Sequence, residues 1–390
     1  MRHRTSWISF SSLAVLLVSS RAFAIEVRTG TEDFTLSVDG DLQFRNEYVY
    51  GGPPPTTTAG PAPSGNVNVD FFMRRASLSA RGTAYKYFWY YVKLETGRFG
   101  ARGNYAGASL LQDVVVGLIP FPDVYIEGGF LKTPLSRPAL DSSPQNNSLE
   151  GVSDILMYPN ARAQRQTGAQ VRGLFLDRRI LIRGGAYEGA RASTTVSSSN
   201  PAPAQPAVNP NGVPLVAGMA RYNFIGVDSA YTFPQIYIDG SSHVSAGVGG
   251  QWQSHSGSQK DATTFYDYSA LSADVFVDMA VPDDMEALLI LDGYRFDYGP
   301  GKPKTGNGLH GELGYRWGWI QPQANFYWFN SDTKTNSFLK AAGGLNFYVR
   351  GHHAKIQVEY ESLIQNGVLP NHPNMTPWQR QFLVQAQIAF

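Results

Sequence analysis

The strongest constraint on this chain is a period of two. Val244, Ala246, Val248 and Trp252 fall on one face, with Ser245, Gly247, Gly249, Gln251 and Gln253 on the other. Leu271, Ala273, Val275, Val277 and Met279 alternate with Ser272, Asp274 and Asp278, and Leu309, Leu313, Tyr315 and Trp317 with His310, Glu312 and Arg316. Near the end, Phe382, Val384, Ala386, Ile388 and Phe390 oppose Gln381, Gln385 and Gln387. Successive side chains of a strand point to opposite sides, so this spacing is that of strands with one apolar and one polar face.

About sixteen such segments follow one another, near 40–50, 69–81, 85–97, 109–118, 124–132, 166–176, 179–189, 218–232, 239–255, 266–280, 285–298, 306–317, 319–330, 337–349, 353–364 and 378–390. Their connections alternate in kind. Short ones at 120–123, 176–178, 281–284 and 350–353 are interleaved with long polar ones at 51–68, 133–165, 190–217, 299–305 and 365–377. A sheet inside lipid must close on itself, because unpaired backbone groups are costly there, and its outer face must be apolar while its inner face can be wet. Segments of about ten residues suit a tilted crossing, and an even strand number with short periplasmic turns and long outer loops is the outer-membrane pattern. Aromatic residues crowd segment ends (Tyr85, Tyr87, Phe88, Trp89, Tyr90; Phe326, Tyr327, Trp328, Phe329), where interfacial belts lie. The expectation is an all-β transmembrane antiparallel barrel of about sixteen strands in the outer membrane of a Gram-negative bacterium.

Residues 1–24 read as a cleaved secretory signal. Arg2 and Arg4 precede an apolar centre from Trp7 to Val18, and Ala22-Phe23-Ala24 offers a small-x-small cleavage site. The segment 25–39 is then an N-terminal periplasmic piece and 40–390 the barrel. Loss of Arg2, Arg4 and Arg21 with the leader takes 32 basic residues to 29 against 31 acidic ones. That balance argues against a nucleic-acid partner. With no cysteine there is neither a disulfide framework nor a thiolate metal site. No cofactor or metal is expected. None of the common hydrolase, metalloprotease or phosphate-loop motifs occurs, so an outer-membrane hydrolase is only a distant alternative.

The stretch from Leu110 to Gly168 departs from the pattern. Two strands meet at Pro120-Phe121-Pro122-Asp123, and the second runs through Lys132-Thr133-Pro134 into some thirty polar, Pro-rich residues without strand spacing. Loops of that length are normally functional or disordered. This one, 133–165, is expected to fold into the lumen and constrict it.

Asp113 to Pro134 resembles the phosphate-selective porin O and P family, whose members carry a strand beginning with Asp, a Pro-Phe-Pro turn and a Gly-x-x-Lys-Thr-Pro strand end. Phe71 to Gly82 is similar to the family's early Arg-Arg-Ala strand, and Arg165 to Phe175 with Gly184 to Gly189 to its Arg-x-x-Gly hairpin. The likeness covers roughly residues 68 to 190 and is diffuse beyond. The chain departs from the family after Lys132-Thr133, with Pro134-Leu135-Ser136-Arg137-Pro138 in place of Pro-Phe-Gly. The resemblance implies a homotrimer of sixteen-stranded barrels, a third outer loop in the lumen, and a basic constriction that passes small anions such as phosphate or polyphosphate. By motif match it assigns Arg74, Arg75, Lys132 and Arg165 to that constriction. The terminal Phe390 resembles the signal that the barrel-assembly machinery reads.

The alternation adds Arg81, Lys93, Arg172, Arg183 and Lys340 from polar strand faces, and Arg137 and Arg162 from the loop. Arg outnumbers Lys by 23 to 9, and its planar fork suits phosphate or carboxylate. These residues form a basic ladder if they stand free. In the alternative they are ordinary lumen charges paired with Glu95, Glu127, Glu312, Glu359 and Glu361, and the channel is a weakly selective diffusion porin for small polar solutes.

Overall fold

A computed structural model describes residues 25–28, 34–50, 67–101, 111–150, 165–190, 209, 211–258, 265–333, 337–366 and 379–390. After a short strand β1 (Ile25–Arg28), sixteen strands follow in simple up-and-down order. They are β2 (Thr35–Tyr50), β3 (Val67–Ala84), β4 (Phe88–Phe99), β5 (Leu111–Phe121), β6 (Val124–Lys132), β7 (Arg165–Phe175), β8 (Ile180–Tyr187) and β9 (Leu215–Ile225). The second half comprises β10 (His243–Ser258), β11 (Phe265–Val281), β12 (Met285–Asp297), β13 (Gly306–Trp317), β14 (Ile320–Ser331), β15 (Ser337–His352), β16 (Ala354–Asn366) and β17 (Gln379–Ala389). Each pairs antiparallel with the next, and β17 returns to β2, from Arg380 opposite Tyr50 to Ala389 opposite Asp41. The sheet is therefore a closed sixteen-stranded barrel with no free edge.

The apolar set of the alternation faces outward. Val248, Leu271, Leu313 and Ile388 are exposed, while their neighbours Gln251, Ser272, Glu312 and Gln387 are buried inside. Tyr85, Tyr87, Phe88, Phe121, Trp317 and Trp319 are exposed near the end of the barrel that carries both chain termini. Phe390 completes the seam there: it exchanges two backbone hydrogen bonds of 2.9 Å with Gly40. Its ring occupies the space a Cβ on Gly40 would need, only 2.5 Å away. A residue larger than glycine at position 40 would displace the terminal ring.

Two expectations about boundaries are corrected. The barrel begins at Thr35, inside the segment expected to precede it, because Ser37 and Val38 pair with Arg81 and Ala80 of β3 and with Glu26 and Ile25 of β1 in the β1–β2 ladder. The expected strand 218–232 ends at Ile225. At Gly226 the backbone takes φ +67°, and residues 226–242 enter the lumen. Phe233 and Ile236 are fully buried there. Their apolar character serves the inside of the barrel, so from sequence they look like a lipid-facing strand.

The lumen is thus occupied from both ends. Residues 133–150 enter from the end of the long loops, with two short 3-10 turns at Pro138–Leu140 and Ser143–Gln145. Residues 226–242 enter from the end of the chain termini. The two inserts join in a parallel bridge between Asp141 and Phe233. Ser142 donates its N–H to the Phe233 carbonyl at 2.7 Å, and Phe233 to the Leu140 carbonyl at 2.9 Å. Gln235 ties the same junction, donating to the Asp141 carboxylate at 2.6 Å and accepting from the Asn147 N–H at 2.6 Å.

Candidate functional site: the charged lumen

The path of the first insert can be followed through its hydrogen bonds. Its Pro134 carbonyl meets Gln251 on β10, and Leu135 accepts from Ser272 on β11. Ser136 bonds the Tyr294 hydroxyl on β12 at 2.8 Å. Asn147 and Ser148 both donate to Glu312 on β13, at 3.1 and 2.8 Å. Glu312 also holds His310 Nε2 at 3.1 Å, while His310 Nδ1 lies 2.6 Å from Asp292. Lys355 and Gln357 on β16 donate to the Asn146 and Asn147 carbonyls. The described part ends at Glu150, between Arg45 on β2 and Arg74 on β3.

The second insert covers the opposite wall. Arg172 donates to the Ser229 carbonyl at 2.6 Å, and Arg183 to the Ala230 and Tyr231 carbonyls at 3.1 and 3.0 Å. The Tyr231 ring packs against Trp89 and Tyr91, and its hydroxyl reaches Asp113. Among the described residues, neither insert hydrogen-bonds the wall formed by Arg75 to Arg81 of β3 and Lys93 to Arg98 of β4. Among the described residues this stretch, the open wall, faces the lumen without an insert bonded to it.

The structure divides the predicted residues between these regions. Arg75, Arg81 and Lys93 stand on the open wall, with Arg74 and Arg165 at its margins. Arg172, Arg183 and Lys132 lie under the inserts, Arg137 is part of the first one, Lys340 pairs with Glu361 at 3.0 Å on the covered side, and Arg162 lies outside the described residues. Arg137 is fully buried: its Nε binds Asp228 at 2.9 Å, its Nη2 the Pro234 carbonyl at 2.6 Å, and its plane stacks 3.4 Å from the Phe276 centroid. It fastens one insert to the other. Lys132 donates to the Asp141 carbonyl and acts on the same junction.

A free-standing ladder is corrected to a paired one. Arg75 and Lys93 share Glu95, at 3.3 and 3.0 Å, Arg172 holds Glu127 at 2.7 Å, Arg165 holds Asp113 at 3.1 Å and Arg81 holds Asp39 at 3.3 Å. The physical reason is desolvation: an unpaired charge buried in a filled barrel costs several kcal/mol. Arg183 is held by carbonyls, which serve the same need more weakly.

The pairs on the open wall are lopsided. Arg165 is 19 % exposed against 1 % for Asp113, and Arg98 is 40 % exposed against 9 % for Glu47. Arg75, Lys93 and Arg81 exceed their carboxylates in the same sense. The cation fronts the lumen and the acid stands behind it. At its margin Arg74 and Glu150 are nearly equal, at 13 and 11 %, and Arg45 reverses the order, fully buried beside Glu47 and Glu150.

Sequence reasoning missed Arg45, Arg98 and Arg221, and put Arg316 on a polar face without assigning it to the site. Arg45, Arg221 and Arg316 do carry the inward alternation of β2, β9 and β13. Arg74 and Arg75, although adjacent, both reach lumen carboxylates because β3 bulges there: Phe44 faces Met73 while Gln43 faces Arg75, so two residues oppose one. Nothing in the local pattern announces that bulge.

No family model and no curated protein matches this chain. Solved structures do. The anion-selective porin from Comamonas acidovorans is 10% identical over 92% of this chain and 100% of that one, with a TM-score of 0.56. The outer membrane channel DcaP of Acinetobacter baumannii gives 11%, 92%, 98% and 0.58, and OprB of Pseudomonas putida 9%, 92%, 94% and 0.59. At such identities the likeness is one of fold: a closed porin-like barrel of the outer-membrane kind.

Proposed function

We propose that the chain is an outer-membrane porin through which small anions diffuse passively along the wall of β3 and β4. The observation that carries this reading is the lopsided exposure of the ion pairs there. With basic and acidic residues nearly balanced, a net field cannot select, so selectivity must come from placement. Arginine and lysine fronting the path replace part of an anion's hydration with charge-assisted hydrogen bonds. The same carboxylates behind them keep each site weak enough for the ion to leave.

Phosphate as the solute, assembly through the Phe390 end and a trimeric state rest on the resemblance of the sequence motifs, export on the signal pattern of residues 1–24, and all are part of the proposal. The inserts are read as the constriction, since the described portions fill the rest of the bore. The chain is read as a conduit without catalytic chemistry, since none of the common hydrolase, metalloprotease or phosphate-loop motifs occurs in its sequence. A weakly selective porin is the second reading, favoured by the pairing of Arg75, Arg81, Lys93 and Arg165 with carboxylates. The reversal potential of the purified protein in a bilayer under a KCl gradient separates the two. Chloride preference supports the first; an unselective current supports the second, and potassium preference defeats the anion reading.

A further inference from the structure

Glu150 breaks the rule its neighbours follow. It is the last described residue of the first insert, and its carboxylate lies between the guanidinium of Arg45 and that of Arg74, the latter at 3.3 Å. Arg45 in turn stands 3.6 Å from Glu47, which holds Arg98 at 3.3 Å. The order is Arg74, Glu150, Arg45, Glu47, Arg98: five charges at the margin of the open wall, with cations at both ends. Arg45 is fully buried and saturated: it donates to the Leu149 carbonyl at 3.0 Å and twice to Gln385, at 3.1 and 2.9 Å. Arg74 differs. Its Nε is buried without a partner, and the contact to Glu150 is a single hydrogen bond.

We infer that Glu150 is a tethered counter-ion that occupies the place beside Arg74 where a passing oxyanion would bind, and so sets how strongly the channel prefers and retains anions. This rests on the anion reading. An insert that brings its own carboxylate to an arginine at the edge of the path competes with solute at high local concentration. Conduction favours this arrangement, since a bare arginine pair would hold phosphate too long for rapid exit. Burial would raise the Glu150 carboxyl, but Arg45 and Arg74 outweigh it and keep the group well below the ordinary value, hence charged.

The test is bilayer recording of the full chain with chloride and with inorganic phosphate. Glu150→Gln keeps the shape and removes the charge. It should raise the chloride-to-potassium permeability ratio several-fold and lower the phosphate concentration at which current half-saturates by a similar factor. Asn147→Ala loosens the insert without changing charge; it should alter conductance and leave the permeability ratio in place. If Glu150→Gln leaves both quantities unchanged, or if the two variants shift the ratio alike, the inference is overturned. A wild-type channel that prefers potassium defeats the anion reading instead, whatever Glu150→Gln does.

Discussion

Asp141 and Phe233 enter the barrel from opposite ends and meet as backbone partners inside it. Each belongs to an insert docked on a different part of the wall, and the Phe233 ring is wholly buried at their junction. Phe233→Ala removes that ring and leaves a cavity worth about 3–5 kcal/mol in a well-packed site. The loss falls on docking of the inserts and not on the hydrogen-bonded wall. Single-channel recordings should therefore show a larger or flickering conductance from a barrel that still resists unfolding in detergent; an unaltered conductance would separate the inserts from the constriction.

The two walls predict different phenotypes for the same change. Arg75→Gln and Arg81→Gln touch a partly buried and an exposed cation, each on the open wall, and should lower chloride preference with little effect on folding. Arg172→Gln and Arg183→Gln touch cations that hold carbonyls of the second insert. Loss of Arg172 also leaves Glu127 buried without its cation, at a cost of about 3–5 kcal/mol. Denaturant titration beside reversal potentials checks this division. Equal shifts of selectivity from all four would mean that both walls are wetted by the path.

Acid should spare the latch at Glu150. A carboxyl whose value is depressed in the folded chain contributes stability above its unfolded value, and loses it only as pH falls through the folded one. Because Arg45 and Arg74 hold Glu150 well below 4.5 against the effect of burial, the factor by which Glu150→Gln changes the chloride-to-potassium ratio should be the same at pH 7 and pH 5. A factor that differs between the two would show that Glu150 titrates within that range.

How much of this was legible in the sequence follows from where each constraint lives. The wall is local: Val248 outward and Gln251 inward follow from a period of two, and the strand number from counting it. The insert at Thr133 announced itself by breaking the period. Residues 226–242 did not, because Tyr231, Phe233 and Ile236 are apolar for an interior the pattern cannot distinguish from lipid. The bulge at Arg74 and the pairing of Arg165 with Asp113 are relations between distant segments. Alternation gives which residues face inward, but not which of them find a partner there.

The outward face can be challenged directly. Val248 sits near the middle of β10 with its side chain largely exposed, opposite Ala273 and Ala220 in the ladders on either side. In a bilayer that position is surrounded by hydrocarbon, so Val248→Arg should cost about 2–4 kcal/mol, whereas Val248→Phe should be close to neutral. Folding into lipid vesicles across a denaturant series reads the difference. If arginine is tolerated as well as phenylalanine, that face is not against lipid.

Gly249, the next residue, points the other way and tests the first insert at its root. The Leu135 carbonyl lies where a side chain would begin, 1.7 Å from the position of a Cβ on Gly249. Ser272 on the adjacent strand donates to that same carbonyl, so the insert is pressed against the wall with its backbone acceptor satisfied. Gly249→Ala cannot be absorbed by a rotamer, since the obstacle is backbone. Either β10 distorts or the insert lifts from the wall, and a strand bonded on both sides is the stiffer partner. The expected outcome is a folded barrel with Leu135 displaced, a lost Ser272 hydrogen bond, and a conductance raised as in Phe233→Ala. Combining the two changes should add little, because both release the same insert; full additivity would show that its two attachments act independently.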